Sequence, residues 1–478
     1  MNVDQSKMPL VQAINKHIKN DPISFHVPGH KNGILTGDPA HKGDMTELTG
    51  LDDLHDAEGP IAEAQALLSN LYGSTSSHFL VNGSTSGNMA AILATCTDGD
   101  YILVQRNCHK SVWNGIRLAG AVPVLLEPEW EEKGESVLGV SLETVKEALE
   151  ASPNAKACVL TYPTYYGFTY SIEGIIGELH ARGIPCIVDE AHGAHFQASD
   201  KFPESALALG ADIVIQSAHK MLPAMTMGSY LHIKGPRVDE GRLKEYLSML
   251  QSSSPSYPIM ASLDYARSYL GTMTPSEVDR GLEAISGFIS KLDRLHLGLE
   301  VVRADDPLKV LVRFTGWSGY RLQKRLEEIG VFAELADPRQ VLFIFPLLKE
   351  SDGFPYGEAL ERIRAMLEGE GEGDGVKRKE TFIPPASSRS YSLLSMEWKE
   401  MKDREEEAVS LQSAAGRISS QMIIPYPPGI PLLLKGEAIT DDVMVRLKEY
   451  VDMGAAIQGR HELKEKKIYV FKELEEQS

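Results

Sequence analysis

From residue 60 onward the chain alternates two patterns of apolar and polar positions. In one, apolar residues recur three and four apart, as on one face of a helix. In the other, four to six apolar residues run together, as in a strand buried on both faces. GPIAEAQALLSNLYG (59–73) has helical spacing at Ile61, Ala64, Leu67, Leu68 and Leu71. HFLV (78–81) is a short apolar run ending at NGSTSGN, after which STSGNMAAILATC reads as a helix. YILVQ (101–105), VPVLLE (122–127), ACVLT (157–161), PCIVD (185–189) and DIVIQ (212–216) read as strands, with helices expected at 141–150 and 173–182. Buried strands alternating with helices predict βαβ units and a mostly parallel sheet.

Both ends of this region change character. Upstream, Leu10, Val11, Ile14 and Ile18 mark one face of a helix, followed by the loop FHVPGHKNG (25–33). Downstream, a long helix is expected at 275–295, opening on the N-terminal signature Thr274-Pro275-Ser276-Glu277. LKVLVRF (308–314), a helix at 317–329, VLFIF (341–345) and a helix at 357–368 then form a smaller α/β pattern. GEGEGDG (369–375) cannot pack a core and reads as a linker. The remainder carries PYPPGIP (425–431), an amphipathic helix at 438–453 and a polar tail. The expected organisation is an N-terminal arm (1–24), a large α/β domain (25–275), a small α/β domain (276–368), a linker (369–376) and a C-terminal α+β unit (377–478).

The 478 residues include 48 Lys and Arg against 67 Asp and Glu, a net charge of −19. So acidic a balance argues against a nucleic-acid binder and against attachment to anionic membranes. No apolar run is long enough to span a bilayer; Met422 to Leu434 is interrupted by four prolines. The first residues lack a basic-then-apolar leader pattern, and the four cysteines form no CxxC pair. These features predict a cytoplasmic protein of about three domains.

In an open parallel sheet, ligands gather at the carboxyl ends of strands. Four such ends carry candidate chemistry. Ser84, Thr85 and Ser86 open a helix, where free backbone N–H groups and hydroxyls can cradle a phosphate, although Ser and Thr also serve there as ordinary caps. His109 follows YILVQ. Asp189 ends PCIVD at the mouth of the sheet and needs a partner such as a protonated ring nitrogen. His192 and His195 have HxxH spacing but neither the HExxH pattern nor a third ligand, so no metal is expected. Lys220, just past DIVIQ beside Ser217 and His219, is placed to act as a partly desolvated amine that forms a Schiff base. A phosphate cradle, a flat ring partner, a buried Asp and a reactive lysine on one sheet match what pyridoxal phosphate requires.

Several stretches resemble the pyridoxal-phosphate-dependent ornithine/lysine/arginine decarboxylases, of the fold-type I (aspartate-aminotransferase-like) group. They are FHVPGHK (25–31), GLDDLHDAEGPIAEAQ (50–65), LVNGSTSGN (80–88), RNCHKS (106–111), DEAHGAH (189–195), SAHK (217–220) and PYPPGIP (425–431). The chain begins almost directly at the catalytic part, so it resembles the short bacterial form without an N-terminal wing domain. The resemblance implies that Lys220 carries the cofactor aldehyde and Asp189 meets the pyridine nitrogen. It puts Ala191 under the ring, His192 near the ring hydroxyl and His109 on the ring face. Ser84, Thr85 and Ser86 match the phosphate cup, with Ser217 and His219 beside it. Glu437 matches the acidic residue that meets the substrate's cationic side chain, although the family's Pro-Gly-Glu is here Lys435-Gly436-Glu437.

The activity this implies is decarboxylation of arginine, lysine or ornithine to agmatine, cadaverine or putrescine, within polyamine metabolism. The proton donor to Cα would be His219 or Lys220, and the assembly a homodimer or larger. Asp189 and Lys220 would equally suit a fold-type I aminotransferase or an aldolase-like lyase. A non-catalytic cofactor-binding regulator would carry a basic DNA-binding segment, and none is seen.

Overall fold

The computed structural model describes residues 3–295, 298–349, 353–369, 390–425, 429–452, 455–459 and 462–473. Of the expected linker, residues 370–376 lie outside these, as do Tyr426, Pro427 and Pro428 of the proline-rich stretch.

The apolar runs build one eight-stranded sheet. Its strands are β1 (Ser76–Leu80), β2 (Tyr101–Gln105), β3 (Val122–Leu126), β4 (Ala157–Thr161), β5 (Cys186–Asp189), β6 (Ile213–Gln216), β7 (Ser229–Ile233) and β12 (Tyr391–Leu393), the last from far downstream. The spatial order is β1-β7-β6-β5-β4-β2-β3-β12. The contiguous pairs from β6 to β3 are parallel, while β7 and β12 run against their neighbours. The sheet is buried on both faces: along β2, Leu103 joins one apolar cluster while Ile102 and Val104 join the other. That is why these strands read as continuous apolar runs rather than alternating ones.

Helices cover both faces. α1 (Pro9–Lys19), α2 (Pro60–Tyr72), α5 (Leu142–Ala151) and α6 (Glu173–Ala181) contribute to one cluster. α3 (Gly83–Thr95) and α4 (Lys110–Ala119) contribute to the other. α3 lies unusually close to the sheet because Gly87 has no side chain. A Cβ there would sit 2.7 Å from Leu80 Cδ1 and 3.1 Å from Ile215 Cγ2. α7 (Ala218–Met221), α8 (Glu240–Leu250) and α9 (Tyr257–Gly271) follow β6 and β7. α1 is tied to its own chain: Leu10 N donates to buried Asp264 Oδ2 at 3.0 Å, and Asp264 pairs with buried Arg267 at 2.6 Å.

After α10 (Pro275–Asp293), whose Thr274–Glu277 capping box matches the sequence signature, comes a four-stranded antiparallel sheet. It consists of β8 (Leu299–Arg303), β9 (Lys309–Phe314), β10 (Leu335–Ala336) and β11 (Val341–Ile344), in the order β8-β9-β11-β10. α11 (Gly319–Glu328) and α12 (Tyr356–Gly369) accompany it. Past β12, β13 (Glu406–Ser410) pairs with β14 (Lys467–Phe471), and α13 (Asp441–Asp452) packs Leu447 into a small core with Ile423, Leu433, Ile468 and Val470. Among the described residues, no helix is long and apolar enough to cross a membrane.

Among the strands that the apolar runs do not mark, β7 and β8 show the physical reason. β7 (SYLHI) is wholly buried, yet its interior includes His232, held by Ser77 Oγ at 2.7 Å and Gln216 Oε1 at 3.1 Å. β8 (LEVVR) lies at a sheet edge and is only partly buried.

Candidate active site

The carboxyl ends of the parallel strands open into a cavity of about 560 Å³. Ser84, Thr85, His109, Asp189, Ala191, His192, Ser217, His219 and Lys220 all reach its wall. Two expected residues do not. Ser86 is buried on the inner face of α3, where its hydroxyl donates to Gly83 O at 2.9 Å. Glu437 is engaged elsewhere: its carboxylate takes Arg106 Nε at 3.1 Å and Nη2 at 2.8 Å, and accepts Leu434 N at 2.8 Å.

The phosphate-cradle residues sit where β1 feeds α3. Asn82 makes no side-chain cap to this helix, and Asn82, Gly83, Ser84 and Thr85 all line the cavity at its start. Ser84 Oγ and Ser217 Oγ lie 2.8 Å apart, bringing hydroxyls from two strand ends together. Uncapped N–H groups, two hydroxyls and the positive end of a 13-residue helix make a good anion site.

Asp189 ends β5, 4% exposed. Its Oδ2 accepts Asn88 Nδ2 at 2.8 Å and its Oδ1 accepts Ala191 N at 3.2 Å. The other Asn88 donor bond goes to Ser111 Oγ at 2.9 Å, and Ser111 Oγ in turn reaches His109 Nδ1 at 2.9 Å. Ser111 N also donates to His109 Nδ1, at 3.2 Å, so that nitrogen accepts. A relay of hydrogen bonds therefore runs from Asp189 through Asn88 and Ser111 to the His109 ring. Burial holds the His109 imidazole below its ordinary pKa, which keeps the ring neutral and suited to stacking.

Lys220 follows β6, the neighbour of β5, so both strands aim their groups into the same space. Its Nζ is 3.1 Å from His192 Nε2 and 5.5 Å from the centre of the Tyr165 ring. Burial lowers the Lys220 pKa, opposed by the negative fields of Asp189 and Glu334. His192 is buried and pushed far below its ordinary pKa, first by burial and then by the positive fields of Lys220 and Lys309, so it stays neutral. His219 Nδ1 lies 2.9 Å from Gly228 O, which can only accept, so Nδ1 carries the hydrogen. Burial lowers the His219 pKa as well. The two histidines of the HxxH spacing are used separately: His195 Nε2 meets buried Asp306 Oδ1 at 3.1 Å, well away from the His192–Lys220 contact.

Buried polar atoms on the wall lack partners: Asn88 Oδ1, Thr161 Oγ1 and His192 Nδ1. Such atoms call for a polar ligand. Together with the anion site, the Asp189 carboxylate and the Lys220 amine, they fit a ring compound bearing phosphate, hydroxyl and aldehyde groups.

Three lining residues, and Ser111 behind them, escape the motif reading. Asn88 and Ser111 lie inside matched stretches, and Asn88 is one helical turn beyond Ser84. Tyr165 follows β4, whose carboxyl end offers the same signal as the other strand ends. Glu334 precedes β10 in the small sheet, and nothing local in the sequence marks it.

A profile described as "Orn/Lys/Arg decarboxylase, major domain" matches residues 8–306, and one for the C-terminal domain of the same family matches residues 392–460. The chain is 46% identical to an uncharacterized Bacillus subtilis protein, YaaO, over 98% of this chain and 99% of that one. It is 32% identical to a B. subtilis arginine decarboxylase, over 98% of this chain and 99% of the other. Among solved structures, the Escherichia coli constitutive lysine decarboxylase superposes with a TM-score of 0.78 at 22% identity. That match covers 98% of this chain and 82% of that one.

Proposed function

From the chain's membership of the Orn/Lys/Arg decarboxylase family, we propose that this decarboxylase uses pyridoxal 5'-phosphate to convert arginine, lysine or ornithine to the corresponding amine and CO2. The observation that carries the reading is the convergence of Lys220, Asp189 and the uncapped start of α3 on one cavity. When bound, the cofactor supplies a protonated ring that accepts the electron pair left on Cα as CO2 departs.

The protein's own groups do the rest. Lys220, a partly desolvated amine, would hold the cofactor through its aldehyde. Asp189, fixed by Asn88 and Ala191 N, keeps a proton on the ring nitrogen. His109 and Ala191 would hold the two faces of the ring, and His192 would lie toward its hydroxyl. Ser84, Thr85, Ser217 and the α3 N–H groups hold the phosphate. His219, with its one proton on Nδ1 and directed at Gly228 O, has an acceptor rather than a donor on its other nitrogen. Lys220 would therefore be the group placed to give a proton to Cα. Holding the scissile carboxylate perpendicular to the ring selects decarboxylation over the other bond cleavages.

The working form is a cytoplasmic homodimer or larger assembly. Ile23, Phe25, Val27, Ile34 and Leu35 support this, exposing 63% or more of their surface within 13 residues. Four buried free cysteines suit a reducing compartment.

The deciding experiment is CO2 release from arginine, lysine and ornithine, with identification of the amine. Release from at least one is expected; none from all three would overturn the reading. The purified protein should also absorb in the visible through its lysine–cofactor bond. Lys220→Ala should lose that band, and an unchanged band would remove Lys220 from its role.

A further inference from the structure

Only two carboxylates reach the cavity wall among the described residues, Asp189 and Glu334. They differ in every respect that matters for binding. Asp189 is deep, buried and already bonded to Asn88 and Ala191 N. Glu334 is exposed at the lip, and the Tyr165 hydroxyl donates to its Oε1 at 2.7 Å. Its backbone is fixed by the small sheet, with Glu334 N donating to Leu342 O at 2.9 Å. None of the ion pairs between described residues uses it.

Tyr165 connects this carboxylate to the reacting centre. Its ring packs on His192 at 4.4 Å between centroids and lies under Lys220 Nζ, while its hydroxyl meets Glu334. Its carbonyl is held by buried Lys309 Nζ at 2.8 Å. Tyr165 thus touches both groups, its ring face beside Lys220 and its hydroxyl on Glu334. An amino acid whose α-amine takes the place of Lys220 would lay an extended side chain along that ring. Its head group would then arrive at Glu334, with an aromatic face alongside for a cation. The field of Glu334 also acts on both Lys220 and His219, in the direction that favours a positive charge. Glu437, by contrast, is neutralised by the Arg106 fork.

Resting on the decarboxylase reading, we propose that Glu334, held at the cavity lip by the Tyr165 hydroxyl, is the residue that meets the cationic end of the substrate side chain. It is a specificity residue supplied by the small sheet to chemistry carried by the large one. A carboxylate that keeps contact with water makes a modest ion pair, so the effect is a few-fold to about tenfold.

The test compares the parent holoenzyme with Glu334→Gln, Tyr165→Phe and Glu437→Gln. For the basic amino acid that the parent decarboxylates, Glu334→Gln should raise KM about 3- to 10-fold and change kcat less than about twofold, because the lost contact is made equally in ground and transition states. It should weaken binding of the product amine, measured by calorimetry, by a similar factor, and leave cofactor affinity unchanged. Tyr165→Phe should move KM the same way by a smaller factor. With arginine as substrate, Glu334→Gln should also narrow the preference over citrulline, its neutral isostere. KM and amine affinity within twofold of the parent in Glu334→Gln would overturn the proposal. So would a large rise confined to Glu437→Gln, which would place the cation at that residue. A parent that decarboxylates none of the three amino acids would instead overturn the decarboxylase reading itself.

Discussion

Replacing Asn88 by alanine separates the two halves of the cofactor platform. Asn88 is 1% exposed, and its amide donates to Asp189 Oδ2 at 2.8 Å and to Ser111 Oγ at 2.9 Å. The first bond is to a buried carboxylate and is worth about 1.5–3 kcal/mol; the second is neutral and worth about 1 kcal/mol. If the first bond sets where Asp189 presents its carboxylate, its loss should raise the cofactor dissociation constant about 10- to 150-fold, at 1.4 kcal/mol per decade. Ser111→Ala keeps the Asp189 contact and the backbone N–H bond to His109 but loses the hydroxyl's bonds to Asn88 and His109, so it should cost about fivefold. The assay is an absorbance titration of pyridoxal phosphate into stripped protein with Lys220 intact, paralleled by thermal melting of each variant. Asn88→Ala binding the cofactor within threefold of the parent would refute the reasoning. Asp189 would then be held without it, and Asn88 would be a packing residue.

Glu190, fully buried beside Asp189, gives a pH-dependent expectation. Burial pushes its carboxyl up to about 7, against the bonds from Ala206 N, Gln216 and Ser205. The folded state therefore keeps a proton that the unfolded state gives up near its ordinary value of 4.5. The stabilisation is complete below about pH 4.5 and lost as pH rises through about 7. Against a neutral side chain, the buried carboxylate costs about 3 kcal/mol at pH 8 and about 1 kcal/mol at pH 5.5. Glu190→Gln also loses acceptor bonds at every pH, so the expected signature is a melting-temperature change about 2 °C more favourable at pH 8 than at pH 5.5. Equal shifts in calorimetric scans at the two values would count against a titrating Glu190. Gly87→Val tests the contact between α3 and the sheet. The 2.7 Å approach to Leu80 leaves no room for a side chain, so a loss of about 1–3 kcal/mol is expected. A denaturation midpoint equal to the parent's would show that α3 can shift freely.

The sequence was most legible where one signal served both burial and chemistry. YILVQ and ACVLT announce their strands because both faces are covered, and the ends of PCIVD and DIVIQ lead to Asp189 and Lys220. Reading ended where contacts depend on distant segments. Asn88 gains its role only when α3 crosses the end of β5, and Ser111 only when α4 meets α3. Glu334 enters the cavity from a different sheet. For Glu437, local resemblance marks a carboxylate but not the Arg106 fork that occupies it, which comes from a residue 331 positions away.

Tyr391–Leu393 pairs with Leu126–Val124 and closes the side of the large sheet that would otherwise end at β3. Those three residues act as a seal as well as a structural link. A chain cut short before residue 390 would present a bare row of backbone donors and acceptors to any similar strand in the cell. The expected product of such a truncation is an insoluble aggregate rather than a smaller working enzyme. Any attempt to trim or transplant the catalytic portion has to carry that strand with it.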